Sequence, residues 1–286
     1  MKIGLIVNTS KSHVFEPIRE LIEWLQNRPS EVYIEENQPF VQNEMLDTVP
    51  RETMARECDA VVVFGGDGTL LNASHLMAQY DTPILGVNSG GLGFLTETTI
   101  EEMKPAINRI IDGEYEIQKR MMIVGTEVDK AGKTPDVHAL NDLVLSRKRL
   151  RRVIQVAAFV NGNFVTSYLA DGIILSTPTG STAYNLSANG PIVHPELNTI
   201  VMNPICPHTL TNRPLMLAAD SKIELQVETS DQCILTADGQ DRIKGLTEGD
   251  RIQIQQSTQE VSLIVPRDRD FYQILRSKLH WGGRTT

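Results

Sequence analysis

The stretch that decides the fold is Val61-Val62-Val63-Phe64-Gly65-Gly66-Asp67-Gly68-Thr69-Leu70-Leu71. Its apolar, β-branched first half predicts a buried strand, and a helical pattern follows the threonine. Between the two, glycines allow backbone conformations closed to other residues and let a ligand approach main-chain N–H groups. Because the first turn of a helix adds unpaired N–H donors and a partial positive charge, the loop predicts an anion site.

Asp67 gives this loop a chemical role beyond binding. A carboxylate beside a phosphate is repelled unless it binds a metal ion, accepts a proton or orients a hydroxyl. Together these roles describe phosphoryl transfer to an alcohol. The alternative is a tight turn in which Asp67 only caps the helix, and five specified residues between a strand and a helix weigh against it.

Strands and helices alternate around this loop. The predicted strands are 3–7, 32–34, 60–64 and 84–87, and the predicted helices are 15–24, 52–57 and 70–80. Such alternation predicts a parallel sheet whose ligands lie beyond the carboxyl ends of the strands. The loop 88–95 also lies at such an end, and its glycines indicate either backbone close to a ligand or a bulge. A further helix is predicted over 100–111, with Pro105 disturbing its middle.

From residue 115 to 265 the pattern changes to short β-rich runs with turn signals at 130–134 and 161–163. The predicted fold class is therefore α/β plus β. It comprises an N-terminal Rossmann-like parallel-sheet domain over 1–99 and a larger β-rich C-terminal domain over 100–265. A closing amphipathic helix in 266–286 is expected to return to the first domain. No GxGxxG dinucleotide fingerprint is present.

A second dense stretch runs from Ala170 to Tyr184. Asp171 begins a buried strand, which opens into a loop of small hydroxyl residues around Gly180. These hydroxyls are able to bind a polar ligand or to cap the following helix, and capping alone accounts for one or two of them.

Bulk properties exclude several classes of protein. The net charge of −9 argues against general nucleic-acid binding, which requires a basic surface. No apolar run approaches the roughly 20 residues of a membrane span, and the first residues predict a strand instead of a signal peptide. The three cysteines form no CxxC pair, and neither HExxH nor a Walker-A motif occurs, so no metal site is indicated by a protein motif. We therefore expect a cytoplasmic protein without nucleic-acid or membrane partners.

The motifs resemble those of a known family. Gly65-Gly66-Asp67-Gly68-Thr69 resembles the signature shared by NAD kinases, diacylglycerol and sphingosine lipid kinases and, more loosely, phosphofructokinases. The stretches 171–187 and 190–195 resemble NAD kinases specifically, as do 139–142 and 207–215. Two positions depart from the pattern: Asp142 stands where glutamate is more usual, and Asn189 where glycine is expected. Asparagine is the best substitute if that backbone requires φ > 0.

The resemblance implies transfer of the γ-phosphoryl group of ATP to the 2′-hydroxyl of the adenosine ribose of NAD, giving NADP. It implies Asp67 as the catalytic residue, as general base or orienter. It places the phosphates of ATP at Gly65, Gly66, Gly68 and Thr69. The implied NAD-binding residues are Asp67, Gly68, Phe94, Asn141, Asp142, Asp171, Thr182, Ala183, Tyr184 and Ser187. Mg²⁺ or another divalent cation is expected with ATP.

Five cations in residues 147–152 form a further candidate site, in which Arg147, Lys148, Arg149 and Arg152 are candidate phosphate contacts. A solvated hairpin tip is the alternative. The resemblance also implies a homodimer or homotetramer with sites near subunit contacts, so one of these cations is predicted to act across an interface.

Two other functions remain open at this stage. A lipid or sugar kinase with the same glycine-rich loop would leave the stretch 171–184 unexplained. A catalytically silent NAD(P)-binding regulator would not need Asp67.

Overall fold

The computed structural model describes residues 1–10, 14–36, 47–128, 135–147, 153–266 and 269–281. The chain forms two compact units, Met1–Lys119 with Val261–Thr286 (unit 1) and Arg120–Glu260 (unit 2). Unit 1 therefore extends beyond the boundary predicted near residue 99. The reason is a helix whose Met103, Ile107 and Ile110 are buried in the core of unit 1.

Unit 1 is a parallel sheet with helices packed against it. Up to residue 111 its elements are β1 (Lys2–Val7), α1 (Phe15–Gln26), β2 (Glu31–Glu35), β3 (Asp47–Val49), α2 (Arg51–Glu57), β4 (Ala60–Gly65), α3 (Asp67–Tyr80), β5 (Ile84–Asn88), β6 (Thr98–Thr99) and α4 (Met103–Ile111). The strand order is β3-β2-β1-β4-β5, and every neighbouring pair is parallel. All six residues of β4 are buried. The predicted Rossmann-like parallel sheet is confirmed.

The helices of unit 1 follow the apolar spacing of the sequence. Helix α1 buries Ile18, Leu21, Ile22 and Leu25, which fall on one face at a period of 3.6 residues. Helix α4 begins at Met103, so Pro105 lies in its first turn, where no intrahelical N–H bond is lost. The expectation that Pro105 disturbs the middle of this helix was wrong.

Unit 2 is built from antiparallel strands. Strand β7 (Glu116–Glu127) leads into it, followed by β8 (Val137–Ala139), β9 (Asp142–Arg147), β10 (Ile154–Val160), β11 (Asn163–Ala170), β12 (Gly172–Ser176), α5 (Tyr184–Ser187), β13 (Thr199–Ile205), β14 (Leu215–Ala218), β15 (Ile223–Val227), β16 (Cys233–Ala237), β17 (Gln240–Leu246) and β18 (Arg251–Val265). The last residues of β18, from Val261, belong to unit 1 and pair in parallel with β5. One sheet has the order β14-β13-β12-β9-β16-β17, and in the other β11, β10, β15 and β18 are neighbours. Apolar side chains from both sheets share one buried core.

The turn predicted at 161–163 is present, because Asn161 (φ 51°) and Gly162 (φ 79°) connect β10 to β11 in the left-handed conformations that a two-residue hairpin requires. The turn predicted at 130–134 lies outside the described residues. After β18 the chain ends with α6 (Phe271–Leu279), within the residues grouped with unit 1. No helix in the described ranges is long and apolar enough to cross a membrane.

Candidate functional site

Asp67 is the first residue of α3, directly after β4, and its carboxylate is fixed by four hydrogen bonds. Its Oδ1 accepts from the N–H of Leu95 (3.0 Å), the N–H of Thr96 (3.1 Å) and the hydroxyl of Thr96 (2.9 Å). Its Oδ2 accepts from the N–H of Phe94 (2.8 Å). Since each carboxylate oxygen has about two lone-pair sites, Oδ2 keeps capacity for one further donor. The side chain is therefore oriented by the protein and still able to accept from a ligand hydroxyl.

The glycines around Asp67 fall into two kinds. A Cβ at Gly93 would lie 2.0 Å from Oδ1 of Asp67, and one at Gly65 would lie 2.4 Å from the hydroxyl oxygen of Thr69. A Cβ at Gly66 or Gly68 would meet no atom within 4 Å. The packing of the protein thus requires the first pair. The second pair leaves open space at the N-terminus of α3, where the sequence predicts phosphates.

Two asparagines at the ends of β1 and β5, the strands on either side of β4, lie at the same loops, and sequence reasoning missed them. Asn8 follows β1 and donates from Nδ2 to the hydroxyl oxygen of Thr69 (3.1 Å). Asn88 ends β5 and donates from Nδ2 to the hydroxyl oxygen of Thr96 (2.7 Å). The available signal was their position, because each is the first polar residue after an apolar strand of the parallel sheet.

Asn141 and Asp142 lie at the start of β9 in unit 2. The side chain of Asp142 is 4% exposed and accepts no hydrogen bond from any described residue. Burial raises the pKa of this carboxyl to about 7, and the charge of Asp238 adds to the increase. A buried polar group ordinarily has a partner, so Asp142 is a candidate ligand contact.

Asp238 is the residue of unit 2 that the sequence prediction omitted. It lies in the turn between β16 and β17, and its carboxylate accepts from the backbone N–H groups of Leu140, Asn141 and Asp142. The signal in the sequence was an Asp-Gly pair after an apolar strand, which is equally the signal of an ordinary hairpin turn.

Two hydroxyls of the loop after β12 hold neighbouring backbone in place. Thr177 donates its hydroxyl to the carbonyl oxygen of Leu140, and its hydroxyl oxygen accepts from the N–H of Gly180 (3.0 Å). The hydroxyl of Ser181 bonds both the N–H and the carbonyl oxygen of Val193. Thr177 and Ser181 therefore fix the loop against the segments before β9 and after α5.

The residues predicted to contact the adenosine end lie at the end of this loop. Thr182 donates its hydroxyl to the carbonyl oxygen of Thr179 (3.3 Å), and Ala183 is partly buried. Tyr184 and Ser187 are exposed on the single turn of α5, with Tyr184 46% exposed. Asn189 has φ 59°, so asparagine stands at a position that needs the left-handed conformation.

Asp171 and Arg147 lie together at the opposite end of the same strands. Their side chains form an ion pair of 3.0 Å between Nη1 and Oδ1. The pairing of Asp142 with Ser176 and of Ser146 with Gly172 places Asp171 beyond the far end of β12. At about 3.3 Å per residue, Arg147 is about 17 Å along β9 from Asp142. The predicted NAD-binding residues of unit 2 therefore fall into two groups.

The ion pair also changes the interpretation of the basic run. Arg147 was predicted as a cation for an interface or a phosphate, and it has an acidic partner within unit 2. Lys148, Arg149 and Arg152 lie outside the described residues.

Comparison with known proteins gives a consistent result for both units. Residues 3–115 match the family model of the ATP-NAD kinase N-terminal domain, and residues 140–265 match that of the ATP-NAD kinase C-terminal domain. The chain is 42% identical to NAD kinase of Citrifermentans bemidjiense over 99% of both chains. It is 39% identical to NAD kinase of Caldanaerobacter subterraneus, covering 97% of this chain and 98% of the relative.

Solved structures of similar fold carry related names. The crystal structure of yeast NADH kinase complexed with NADH superposes with a TM-score of 0.89 at 28% identity, covering 100% of this chain and 90% of that one. The NAD kinase from Archaeoglobus fulgidus in complex with ATP gives a TM-score of 0.76 at 28% identity, covering 97% and 99%.

Proposed function

Because the chain belongs to the ATP-NAD kinase family, we propose that it transfers the γ-phosphoryl group of ATP to the 2′-hydroxyl of the adenosine ribose of NAD, giving NADP. The observation that carries this proposal is the Asp67 carboxylate, fixed at the N-terminus of α3 beside the open backbone of Gly66 and Gly68. Phosphoryl transfer requires mainly positioning and electrostatic stabilisation from a protein. This arrangement supplies both.

The reaction step follows from the hydrogen bonds of Asp67. The 2′-hydroxyl of NAD donates to Oδ2, which has one protein donor, while Oδ1 is held by three. As the hydroxyl oxygen attacks the γ-phosphorus, its proton passes to Oδ2, and the bond from the γ-phosphorus to the bridging oxygen breaks to release ADP. The N–H groups of the first turn of α3 face the phosphates and stabilise their charge.

The dinucleotide is bound by the other predicted residues. Asn141 and Asp142 hydrogen-bond it, and Thr182, Ala183, Tyr184 and Ser187 line its adenosine end. Phe94 supplies an apolar contact, and Asp171 accepts from an amide or amino group of NAD. Support comes from the unshared carboxyl of Asp142 and from the exposure of Tyr184 and Ser187. Asp171 and Arg147 lie about 17 Å along β9 from Asp142. This distance is large for a ligand of the same subunit, so we propose that the pair reaches a ligand bound by a neighbouring subunit.

Magnesium enters the proposal with ATP. Within the described part of the chain, no group of three or more histidine, cysteine or acidic side chains is arranged to hold a metal ion. We propose that Mg²⁺ is carried by the nucleotide, since Mg²⁺ commonly uses only one or two carboxylates together with substrate phosphates. Asp67 supplies a carboxylate beside the proposed phosphate site. When bound, the ion neutralises negative charge on the phosphates.

We further propose a homodimer or homotetramer that works in the cytoplasm without nucleic-acid or membrane partners. The net charge of −9 supports the absence of nucleic-acid partners, and the resemblance to NAD kinases supports the oligomer. Light scattering on the purified protein tests the assembly, and a monomer at micromolar concentration would contradict it.

The activity itself is tested with Mg-ATP and NAD, with NADP measured by an NADP-specific dehydrogenase. Parallel reactions contain a diacylglycerol, a sphingoid base or a sugar phosphate as acceptor, and a control omits the divalent cation. We expect NADP only when NAD, ATP and the cation are all present. Phosphorylation of a lipid or sugar without NADP formation would contradict the proposal and would show that the same loop serves a different kinase activity.

A further inference from the structure

The Asp238 carboxylate is joined to the strand that carries Asn141 and Asp142 by three hydrogen bonds. Its Oδ2 accepts from the N–H of Leu140 (2.9 Å), and its Oδ1 accepts from the N–H groups of Asn141 (2.8 Å) and Asp142 (3.1 Å). The backbone N–H of Asp238 in turn donates to the carbonyl oxygen of Asp142 (3.0 Å). One side chain therefore satisfies three consecutive donors.

The other side of the same segment is held by the loop after β12. The N–H of Thr177 donates to the carbonyl oxygen of Asn141 (2.9 Å), and the hydroxyl of Thr177 donates to the carbonyl oxygen of Leu140. A Cβ at Gly180 would lie 1.9 Å from the carbonyl oxygen of Asn141, so the loop packs directly on this peptide. The loop after β12 thus fixes the carbonyl groups of Leu140 and Asn141, whereas Asp238 fixes the three N–H groups and the carbonyl group of Asp142.

The local backbone shows that Asp238 is shaped for this contact. Its φ of 51° is in the left-handed region, which aspartate, asparagine and glycine tolerate best. The segment it holds carries Asp142, whose buried side chain accepts no hydrogen bond in the described part of the chain. The carboxyl groups of Asp142 and Asp238 are therefore close together, which lowers stability when both are ionised. A role in ligand binding explains why both are present.

We infer that Asp238 is a positioning residue for dinucleotide binding, which fixes the Asn141–Asp142 backbone so that both side chains face the ligand in one arrangement. The inference rests on the proposed function, since it assigns Asp238 to the NAD side of the reaction. Without the carboxylate, three backbone donors lose their acceptor and the segment samples other conformations. The apparent affinity then falls by the fraction of protein that remains in the binding arrangement.

The test compares three variants of the full chain. Asp238→Gly removes the carboxylate and keeps the left-handed backbone, and Asp238→Asn keeps one oxygen able to accept from Asn141 and Asp142. Asn161→Gly is the matched control, because Asn161 also has positive φ in a hairpin of unit 2 and its Oδ1 accepts one backbone N–H, from Lys222 (2.9 Å). No predicted site residue lies in that hairpin tip.

We expect Asp238→Gly to raise the KM for NAD by about ten- to hundredfold and to change kcat and the KM for ATP by less than about threefold. Asp238→Asn should give a smaller increase, and Asn161→Gly should keep the KM of the parent. Calorimetric titration of each variant with NAD gives the same ranking without turnover.

The outcomes separate the two proposals. A parent that forms no NADP contradicts the proposed function, and the positioning role with it. An active parent whose Asp238→Gly variant keeps the parental KM and NAD affinity overturns the positioning role alone. If Asp238→Gly does not fold, Asp238→Asn decides by the same comparison. Equal effects of the Asp238 and Asn161 changes on KM would show a general loss of stability and would also overturn the inference.

Discussion

Asp142→Asn should stabilise the protein, and the gain should grow with pH. Burial and the nearby charge of Asp238 raise the pKa of the Asp142 carboxyl from 3.8 to about 7. Between these values the folded state keeps a proton that the unfolded state has lost, so the contribution of Asp142 to stability falls as pH rises and reaches its minimum above pH 7. At about 1.4 kcal/mol per pH unit, the interval from 3.8 to about 7 corresponds to about 4 kcal/mol. Asparagine has the shape of the protonated carboxyl and carries no charge at any pH.

The assay is urea unfolding of parent and variant at pH 4.5, 6, 7.5 and 8.5, followed by circular dichroism. The stability difference should be small at the lowest pH and approach about 4 kcal/mol in favour of the variant at the highest. Asp220→Asn, at an exposed position, controls for the change in net charge. A difference that stays constant between pH 4.5 and 8.5 would refute the reasoning, because it would show that Asp142 loses its proton equally easily in both states.

Three further changes test the site. Asp67→Asn should lower kcat by roughly 10²–10⁴, the usual range for a general acid–base group, with most NAD affinity retained. Thr96→Val, which removes one donor to Oδ1, should lower kcat far less. An Asp67→Asn variant whose kcat stays within a few-fold of the parent would remove Asp67 from the chemistry. Asp171→Ala should raise the KM for NAD by one or two orders of magnitude, roughly 1.5–3 kcal/mol for a charged hydrogen bond, and a larger change in the KM for ATP would contradict that assignment. Gly93→Ala should lower kcat strongly, since the new Cβ would lie 2.0 Å from the Asp67 carboxylate, whereas Gly91→Ala, with no atom within 4 Å, should be neutral; equal activity in these two variants would contradict the packing argument.

The sequence by itself determined the parts of this protein that depend on neighbouring residues. The buried run of β4, the glycine-rich loop and α3 follow one another in the chain, so their pattern predicted a parallel sheet with an anion site at a helix N-terminus. The period of α1 and the turn at Asn161-Gly162 were equally readable, because helix periodicity and the φ > 0 requirement of a two-residue hairpin are local properties. The resemblance of two separate motifs then gave the family.

Only the tertiary structure decided which partners hold the site residues. Asp67 is bound by residues 27–29 positions later, and Asp238 holds backbone groups 96–98 positions earlier. Likewise, the pairing of β9 with β12 joins Arg147 to Asp171 and keeps both far from Asp142. Such contacts depend on strand register and on which loops meet, whereas alternation along a strand specifies only which face a side chain occupies. The carboxylates and hydroxyls are therefore visible in the sequence. Packing between distant segments decides which of them bond to the protein and which are left to contact a ligand.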